Sequence, residues 1–208
     1  MNSSSILRRS FLSLAIFIGA SASATSAFAQ VEQPSQINFQ VTGLFTKSYK
    51  DQIPSYDATK AAGLLAGYSY QFSKWFGAEG NYGYSRNTLS YITTGGAPSV
   101  QSDYHAATAA FVVHIPTGVR HFRPYALGGG GALIFDPTDK FVVTGADRQT
   151  RGTFLYGGGA NFDITNKFGF RAEYRGLVYK IPDFGLNTLN LDKFTHLAEP
   201  SVGFYTRF

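Results

Sequence analysis

The sequence predicts an all-β protein, an eight-stranded antiparallel up-and-down transmembrane β-barrel preceded by a cleaved signal peptide. Three observations predict this fold class. The first residues have the layout of a secretory leader, and the rest of the chain contains eight stretches in which apolar and polar residues alternate. The connectors between these stretches are alternately long and short, as in barrels that cross a membrane.

The leader is predicted at residues 1–29. Arg8 and Arg9 give it a positive start, an apolar run follows at residues 11–20, and Ala27-Phe28-Ala29 forms a small-x-small cleavage site. The apolar run is too short to cross a bilayer as a helix. Cleavage would leave residues 30–208 as a single barrel domain. Its net charge would fall from +5 to +3, because the leader holds two arginines and no acidic residue.

The first four strands are predicted where residues alternate with a period of two, so that alternate side chains lie on one face. These stretches cover about residues 36–46, 61–72, 76–86 and 104–115. Their apolar faces carry, in chain order, Phe39 and Val41, Tyr68 and Tyr70, Tyr82 and Tyr84, and Phe111 and Val113.

The last four strands are predicted by the same alternation at about residues 122–135, 152–163, 168–178 and 194–208. Their apolar faces carry, in chain order, Tyr125 and Leu133, Phe154 and Tyr156, Phe168 and Phe170, and Val202 and Phe204. We expect the final strand, which runs to Phe208, to close the barrel against the first strand near Phe39 and Val41.

The connectors predict the direction of the barrel. Those after the second, fourth and sixth strands are short turns, whereas the others are predicted as loops near residues 47–60, 87–103, 136–150 and 181–192. An up-and-down order places all four long loops at one end and all short turns at the other, which is the layout of transmembrane barrels.

The apolar faces are predicted to meet lipid. A soluble β-sandwich also has one apolar face and stays open as an alternative. Here, however, the polar parity is crowded with glycine, as a narrow lumen requires, and aromatic residues make up 16% of the chain. The glycines expected to face the lumen are Gly63, Gly67, Gly128, Gly130, Gly157 and Gly159.

Charged residues on the inward parity predict an ion-pair network that plugs the lumen. The third and seventh of eight strands lie opposite each other, so Glu79 would point across toward Arg171 or Arg175, with Glu173 between the two arginines. Glu199 and Arg207 would join from the eighth strand. An unpaired buried charge is very costly. Hydrated charges without specific pairing remain the alternative.

Three segments resemble the OmpA/OmpX-like small outer-membrane β-barrels, which include the opacity-type surface proteins. They are FRPYALGGGG at residues 122–131, TNKFGFRAEYR at 165–175 and SVGFYTRF at 201–208. The resemblance implies location in the outer membrane of a Gram-negative cell, in contact with lipid and lipopolysaccharide. It also implies that the barrel-assembly machinery recognises the last strand through Val202, Phe204 and Phe208. Thr206 and Pro200 depart from the family's usual pattern there.

Enzymatic and cofactor chemistry is not expected. Some eight-stranded barrels modify lipid A with a histidine beside a serine, but His105 and His196 are each followed by alanine two positions later. The chain has no cysteine, and its histidines have no metal-ligand spacing. Its mild net charge does not indicate a nucleic-acid partner.

Two functions then remain. The first is a structural or surface-interaction role, resembling that of an adhesin, in which four outward loops bind a host or neighbouring surface. The second is a narrow channel or carrier for small solutes, which the inward charges and the small lumen of eight strands disfavour.

Overall fold

The computed structural model describes residues 33–48, 55–92, 99–119, 121–138, 147–185 and 192–208. The predicted leader lies outside these ranges. None of the described residues forms a helix that is long and apolar enough to cross a membrane.

All elements of the described chain are antiparallel β-strands, and they occupy eight positions around a closed barrel. The four-residue β2 and the longer β3 both pair with β4 and together fill the second position. The strands are β1 (Ser35–Thr46), β2 (Ser55–Ala58), β3 (Ala61–Gln71), β4 (Phe76–Ile92), β5 (Ser99–His114), β6 (Phe122–Pro137), β7 (Gln149–Asp163), β8 (Phe168–Lys180) and β9 (Phe194–Arg207).

The first and last strands close the barrel. Phe39 lies opposite Phe204 and Val41 opposite Val202. The amide of Phe208 donates to the carbonyl of Ser35 over 3.0 Å, and the Ser35 amide donates back over 3.2 Å. Closure pairs β1 on both sides, with β3 and with β9, so the barrel wall has no free edge at this seam, which a bilayer would not tolerate. Only β2, at the loop end, pairs on one side alone among the described strands. The predicted eight-stranded barrel and its seam are therefore confirmed.

A β-bulge joins β2 to β3. Ala58 lies opposite Leu89 and Gly63 opposite Ser85, so Thr59 and Lys60 together face the single residue Thr88. The bulge explains why the loop predicted at residues 47–60 was wrong for residues 55–58. The extra residue reverses which side chains, odd-numbered or even-numbered, point into the barrel. The regular alternation of β3 therefore does not continue into β2, and the sequence pattern identified no strand there.

Several strands are longer than the sequence predicted. β4 continues to Ile92, β5 begins at Ser99 and β7 begins at Gln149, so all three enter regions that were predicted as loops. Serine and threonine residues there are typical of loops, but in β4 Thr88 and Ser90 alternate with the buried Leu89 and Tyr91. The ends of the strands project beyond the band of apolar outer side chains, where polar residues are compatible with a strand.

The outer wall is apolar, as lipid contact requires. Large exposed side chains cover it, among them Phe39, Val41, Leu64, Tyr82, Phe111, Phe154, Val202 and Phe204. Strand β6 corrects one prediction. Its larger residues Tyr125 and Leu133 are buried inside the barrel, whereas Gly128 and Gly130 lie on the outward parity. Alternation defines two faces of a strand but does not by itself decide which face points inward.

Candidate functional site in the barrel lumen

A cluster of three charges crosses the lumen about Arg171. Arg171 on β8 lies opposite β4, because three strand positions separate the two strands in either direction around the barrel. Its Nη2 atom is 2.7 Å from Oε2 of Glu79, and it also contacts the carboxylate of Glu173. Their side chains are no more than 2% exposed. The cluster therefore links opposite walls inside a water-poor space.

Neutral side chains add hydrogen bonds to this cluster, although Nε of Arg171 and Oε1 of Glu173 have no partner among the described residues. The Tyr125 hydroxyl donates to Oε2 of Glu173 over 2.6 Å, and the Tyr125 ring lies 4.7 Å from the guanidinium carbon of Arg171. Asn81 donates from Nδ2 to Oε1 of Glu79 over 2.7 Å. Buried ions are tolerated when such hydrogen bonds replace those of water.

A second pair lies on the inward face of β8 and β9. Nε of Arg175 is 3.7 Å from Oε2 of Glu199, and both side chains are almost completely buried. Arg175 also donates from Nη2 to Oγ1 of Thr108, on β5, over 2.5 Å. Arg175 thus connects β8 both to its neighbour β9 and to a distant wall.

Arg207 lies apart from the other five residues of the predicted network. It contacts Asp163 over 2.8 Å, and Arg123 approaches the same carboxylate atom at 3.3 Å. The Tyr205 hydroxyl donates to Asp163 as well. Sequence reasoning missed Arg123 and Asp163. Asp163 lies on the polar parity of β7, which could have identified it, but Arg123 shares the parity of Tyr125, which was predicted to face lipid. This group lies at the end of the barrel that carries the short turns, the turn end.

The charges in the turn-end half of the described lumen balance. The carboxylates of Glu79, Asp163, Glu173 and Glu199 are matched by the guanidinium groups of Arg123, Arg171, Arg175 and Arg207. Between the turns and Arg171 lies a cavity of about 20 Å³, whose lining includes Gln36, His114 and Tyr125. A cavity of this size holds roughly one water molecule.

The other half of the lumen, the loop end, is filled by apolar and aromatic side chains. Tyr104 and Tyr179 pack on Phe135 with ring centroids 5.6 and 5.7 Å apart, and Tyr56 packs on Tyr91 at 5.5 Å. The buried residues that complete this outer core are Leu44, Leu89, Val100, Leu133, Leu155, Leu177, Ile181, Phe184 and Leu197. The lumen is thus closed by two layers of different chemistry.

A short segment after β8, Ile181–Gly185, covers the outer core and is called the strap. Gln149 fixes it, because its Oε1 accepts the amides of Asp183 and Phe184 and its Nε2 donates to Asp183 over 2.7 Å. Arg151 pairs with Asp183 over 3.0 Å. The Tyr91 hydroxyl donates to the carbonyl of Pro182 over 2.6 Å. The Phe184 side chain is completely buried.

Histidines contribute no metal site in the described chain, where no group of three potential ligands occurs. Two of them lie on the outer wall beside a tyrosine of another strand. The Tyr82 hydroxyl is 2.6 Å from Nδ1 of His105, and the Tyr156 hydroxyl is 2.9 Å from Nε2 of His196. Tyrosines in such positions are typical of the aromatic girdles of membrane barrels.

Comparison with known proteins identifies the family. The family model for the outer membrane protein beta-barrel domain matches residues 13–198. The chain belongs to this family. It is accordingly an outer-membrane protein, and in such barrels the short turns face the periplasm and the longer loops face outward. The comparison with curated proteins gave no match.

Solved structures of outer-membrane barrels share the fold. OprG from Pseudomonas aeruginosa is 13% identical over 85% of this chain and 96% of its own, with a TM-score of 0.60. Neisserial surface protein A is 14% identical over 84% of this chain and 97% of its own, also with a TM-score of 0.60. Ail of Yersinia pestis, solved with the heparin analogue sucrose octasulfate, is 17% identical over 84% of this chain and 99% of its own, with a TM-score of 0.51.

Proposed function

We propose that this protein is a sealed outer-membrane barrel with a structural or surface-interaction role, exercised through its four outward loops and without catalysis. The filled lumen carries the proposal. Ion pairs occupy the periplasmic half and the outer core occupies the other half, so the barrel wall serves as a rigid support for the loops. Loops on a rigid scaffold are common sites of recognition.

The two layers argue against a channel for different reasons. A solute that crosses the periplasmic layer must separate Arg171 from two carboxylates, which leaves buried charges without partners. A polar solute that reaches the outer core would meet aromatic and aliphatic side chains with few polar partners. Neither layer offers a continuous hydrated path.

Conductance in planar bilayers tests the sealed barrel. The refolded protein is expected to give no stepwise current, and Glu79→Gln is expected to lower thermal stability without opening the lumen, because the outer core stays closed. Steady open steps from the unchanged protein, or swelling of liposomes in small sugars, would favour the channel or carrier. A Glu79→Gln variant with unchanged stability would contradict the role of the ion pairs.

Cell-surface binding tests the role of the loops. Cells that display the protein are compared with cells that display a variant whose loop residues 49–54, 93–98, 139–146 and 186–191 are replaced by glycine and serine. Substitutions in the periplasmic turn at Ser73 and Lys74 serve as the matched control. Loss of adhesion to host cells or extracellular matrix only in the loop variant supports the surface-interaction role. Equal adhesion of all three would leave a structural role alone.

Exposed cations at the loop end support contact with the phosphates of lipopolysaccharide. Lys47, Lys60 and Arg148 are exposed near the outer ends of their strands. Cations attract an anionic surface most strongly at low ionic strength.

A lipid A deacylation or palmitoylation assay on the refolded protein tests the absence of catalysis, and product formation would overturn it.

A further inference from the structure

Phe184 fills the outer lumen in an unusual manner. Its φ angle is +52°, in the left-handed region that bulky residues seldom adopt, yet its side chain is completely buried in the outer core. The residue belongs to the strap and not to a strand. The aromatic ring at the outer opening of the barrel thus comes from the strap. Gln149 bonds to Asp183 and to the Phe184 amide, and Arg151 pairs with Asp183, so these two residues fix the strap in place.

Three hydroxyl groups in the same half of the lumen, those of Tyr56, Ser102 and Tyr104, lack hydrogen bonds to the described residues. Ser102 and Tyr104 lie two residues apart on the inward face of β5 and are 0% and 3% exposed. Neither hydroxyl has a hydrogen-bond partner among the described residues. A buried hydroxyl without a partner is costly, so each such group needs an explanation, and a bound molecule that supplies the missing hydrogen bond is one.

We propose that the outer core is a binding chamber for a small aromatic alcohol, and that Phe184 holds the place of its ring. The ring of the ligand would replace that of Phe184 in the outer core, and its hydroxyl would pair with Tyr104 or Ser102. The Arg175–Glu199 layer closes the chamber below, so the ligand enters and leaves from the outside. This binding needs neither conduction nor adhesion, and it goes beyond the function proposed above.

Methyl NMR of the refolded protein in nanodiscs, with labelled leucines and with phenol and toluene as probes, tests the chamber. Leu133 and Leu155 are completely buried in it, whereas Leu64 is 63% exposed on the outer wall and reports partition into lipid. In Phe184→Ala we expect saturable shifts at Leu133 and Leu155, and about tenfold tighter binding of phenol than of toluene, as one satisfied hydroxyl would give. Leu64 is expected to shift without saturation.

Three further variants separate a built site from an accidental cavity. Gln149→Ala keeps the Phe184 ring but loosens the strap, and it is expected to bind phenol more weakly than Phe184→Ala but above the unchanged protein. Tyr104→Phe on the Phe184→Ala background is expected to reduce the preference for phenol. Leu155→Ala enlarges the core without removing the ring of Phe184, and it is expected to show no preference for phenol.

Two outcomes would overturn the proposal. Equal binding of phenol and toluene by Phe184→Ala would mean that the hydroxyls do not recognise a ligand and that the cavity is adventitious. An absence of saturable shifts in Phe184→Ala, with the barrel folded by heat-modifiable gel migration, would mean that the outer core is a packed core only.

Discussion

Glu79 and Arg171 stand on opposite walls of the barrel, and their side chains meet at 2.7 Å in its centre. Glu79 belongs to β4 and Arg171 to β8, which share no backbone hydrogen bonds because three strand positions lie between them on each side. The contact therefore braces the barrel across its diameter. Strand pairing stabilises only neighbouring strands, so this brace adds coupling that the sheet itself does not provide.

Removal of the central cation is expected to be severely destabilising. Arg171→Met leaves the carboxylates of Glu79 and Glu173 buried without their counterion. Loss of one partner from a buried ion pair costs about 3–5 kcal/mol. Urea titration of the refolded barrel in detergent, followed by heat-modifiable gel migration, measures this change in the free energy of unfolding.

The matched control is Arg86→Met on the outer wall. Arg86 pairs with Asp103 at 2.6 Å, but its side chain is 55% exposed. Exposed pairs contribute little to stability, so the urea midpoint is expected to remain close to that of the unchanged protein. Equal effects of the two substitutions would show that the lumen charges are hydrated and lack specific pairing.

The loop-end strap is expected to loosen in acid. Burial raises the pKa of the Asp183 carboxyl, but hydrogen bonds from Gln149 and the Gly185 amide, with the Arg151 cation, outweigh burial and hold that pKa below its ordinary value. A lowered folded-state pKa means that the stabilisation is present above the ordinary carboxyl range. It is lost as the pH falls through the folded-state pKa, below about pH 4.

Hydrogen exchange of the Phe184 and Gly185 amides measures this loosening. Both amides donate to side chains of the strap contact, Phe184 to Gln149 and Gly185 to Asp183. Protection, corrected for the intrinsic pH dependence of exchange, is expected to fall in acid. Asp183→Asn should remove the pH dependence while leaving the amides of β8 protected. A corrected protection that is constant down to pH 2 would contradict the role of Asp183.

The alternation of side chains along each strand explains which features of the lumen the sequence could predict and which it could not. Alternation with a period of two located the strands and placed Glu79, Arg171 and Glu199 on the face opposite the large apolar residues of their strands. The period alone does not say which face points inward, and for β6 the assignment was wrong. The period also says nothing of depth along the barrel. Glu199 and Arg207 share a face of β9 but lie eight residues apart, roughly 27 Å in a strand, so they belong to different layers.

Because of the bulge between β2 and β3, we expect opposite effects on folding from two single-residue deletions, one in the bulge and one in a regular strand. Deletion of Lys60 removes the extra residue and leaves Ala58 opposite Leu89, so Tyr56 stays inward and stability is expected to change by less than about 1 kcal/mol. Deletion of Ala172 from the regular strand β8 has the opposite consequence. It turns either Arg171 or Glu173 toward lipid.

Heat-modifiable gel migration after refolding distinguishes these two deletions. The Lys60 deletion is expected to keep the compact, faster-migrating form, and the Ala172 deletion to lose it. If both variants fold equally well, strand register is not held by the lumen charges. If the Lys60 deletion alone fails, the bulge itself is required for closure of the barrel.

The outward side chains at the end of the final strand are expected to act in assembly rather than in stability. Val202, Phe204 and Phe208 point outward and are 52%, 54% and 58% exposed, so they contribute nothing to the lumen. Phe208→Ser should therefore refold in detergent with an unchanged urea midpoint, yet reach the outer membrane in smaller amounts when expressed in cells. Phe194→Ser changes an equally exposed residue at the other end of β9 and is the control. Equal membrane levels of the two variants would mean that the barrel-assembly machinery does not read Phe208.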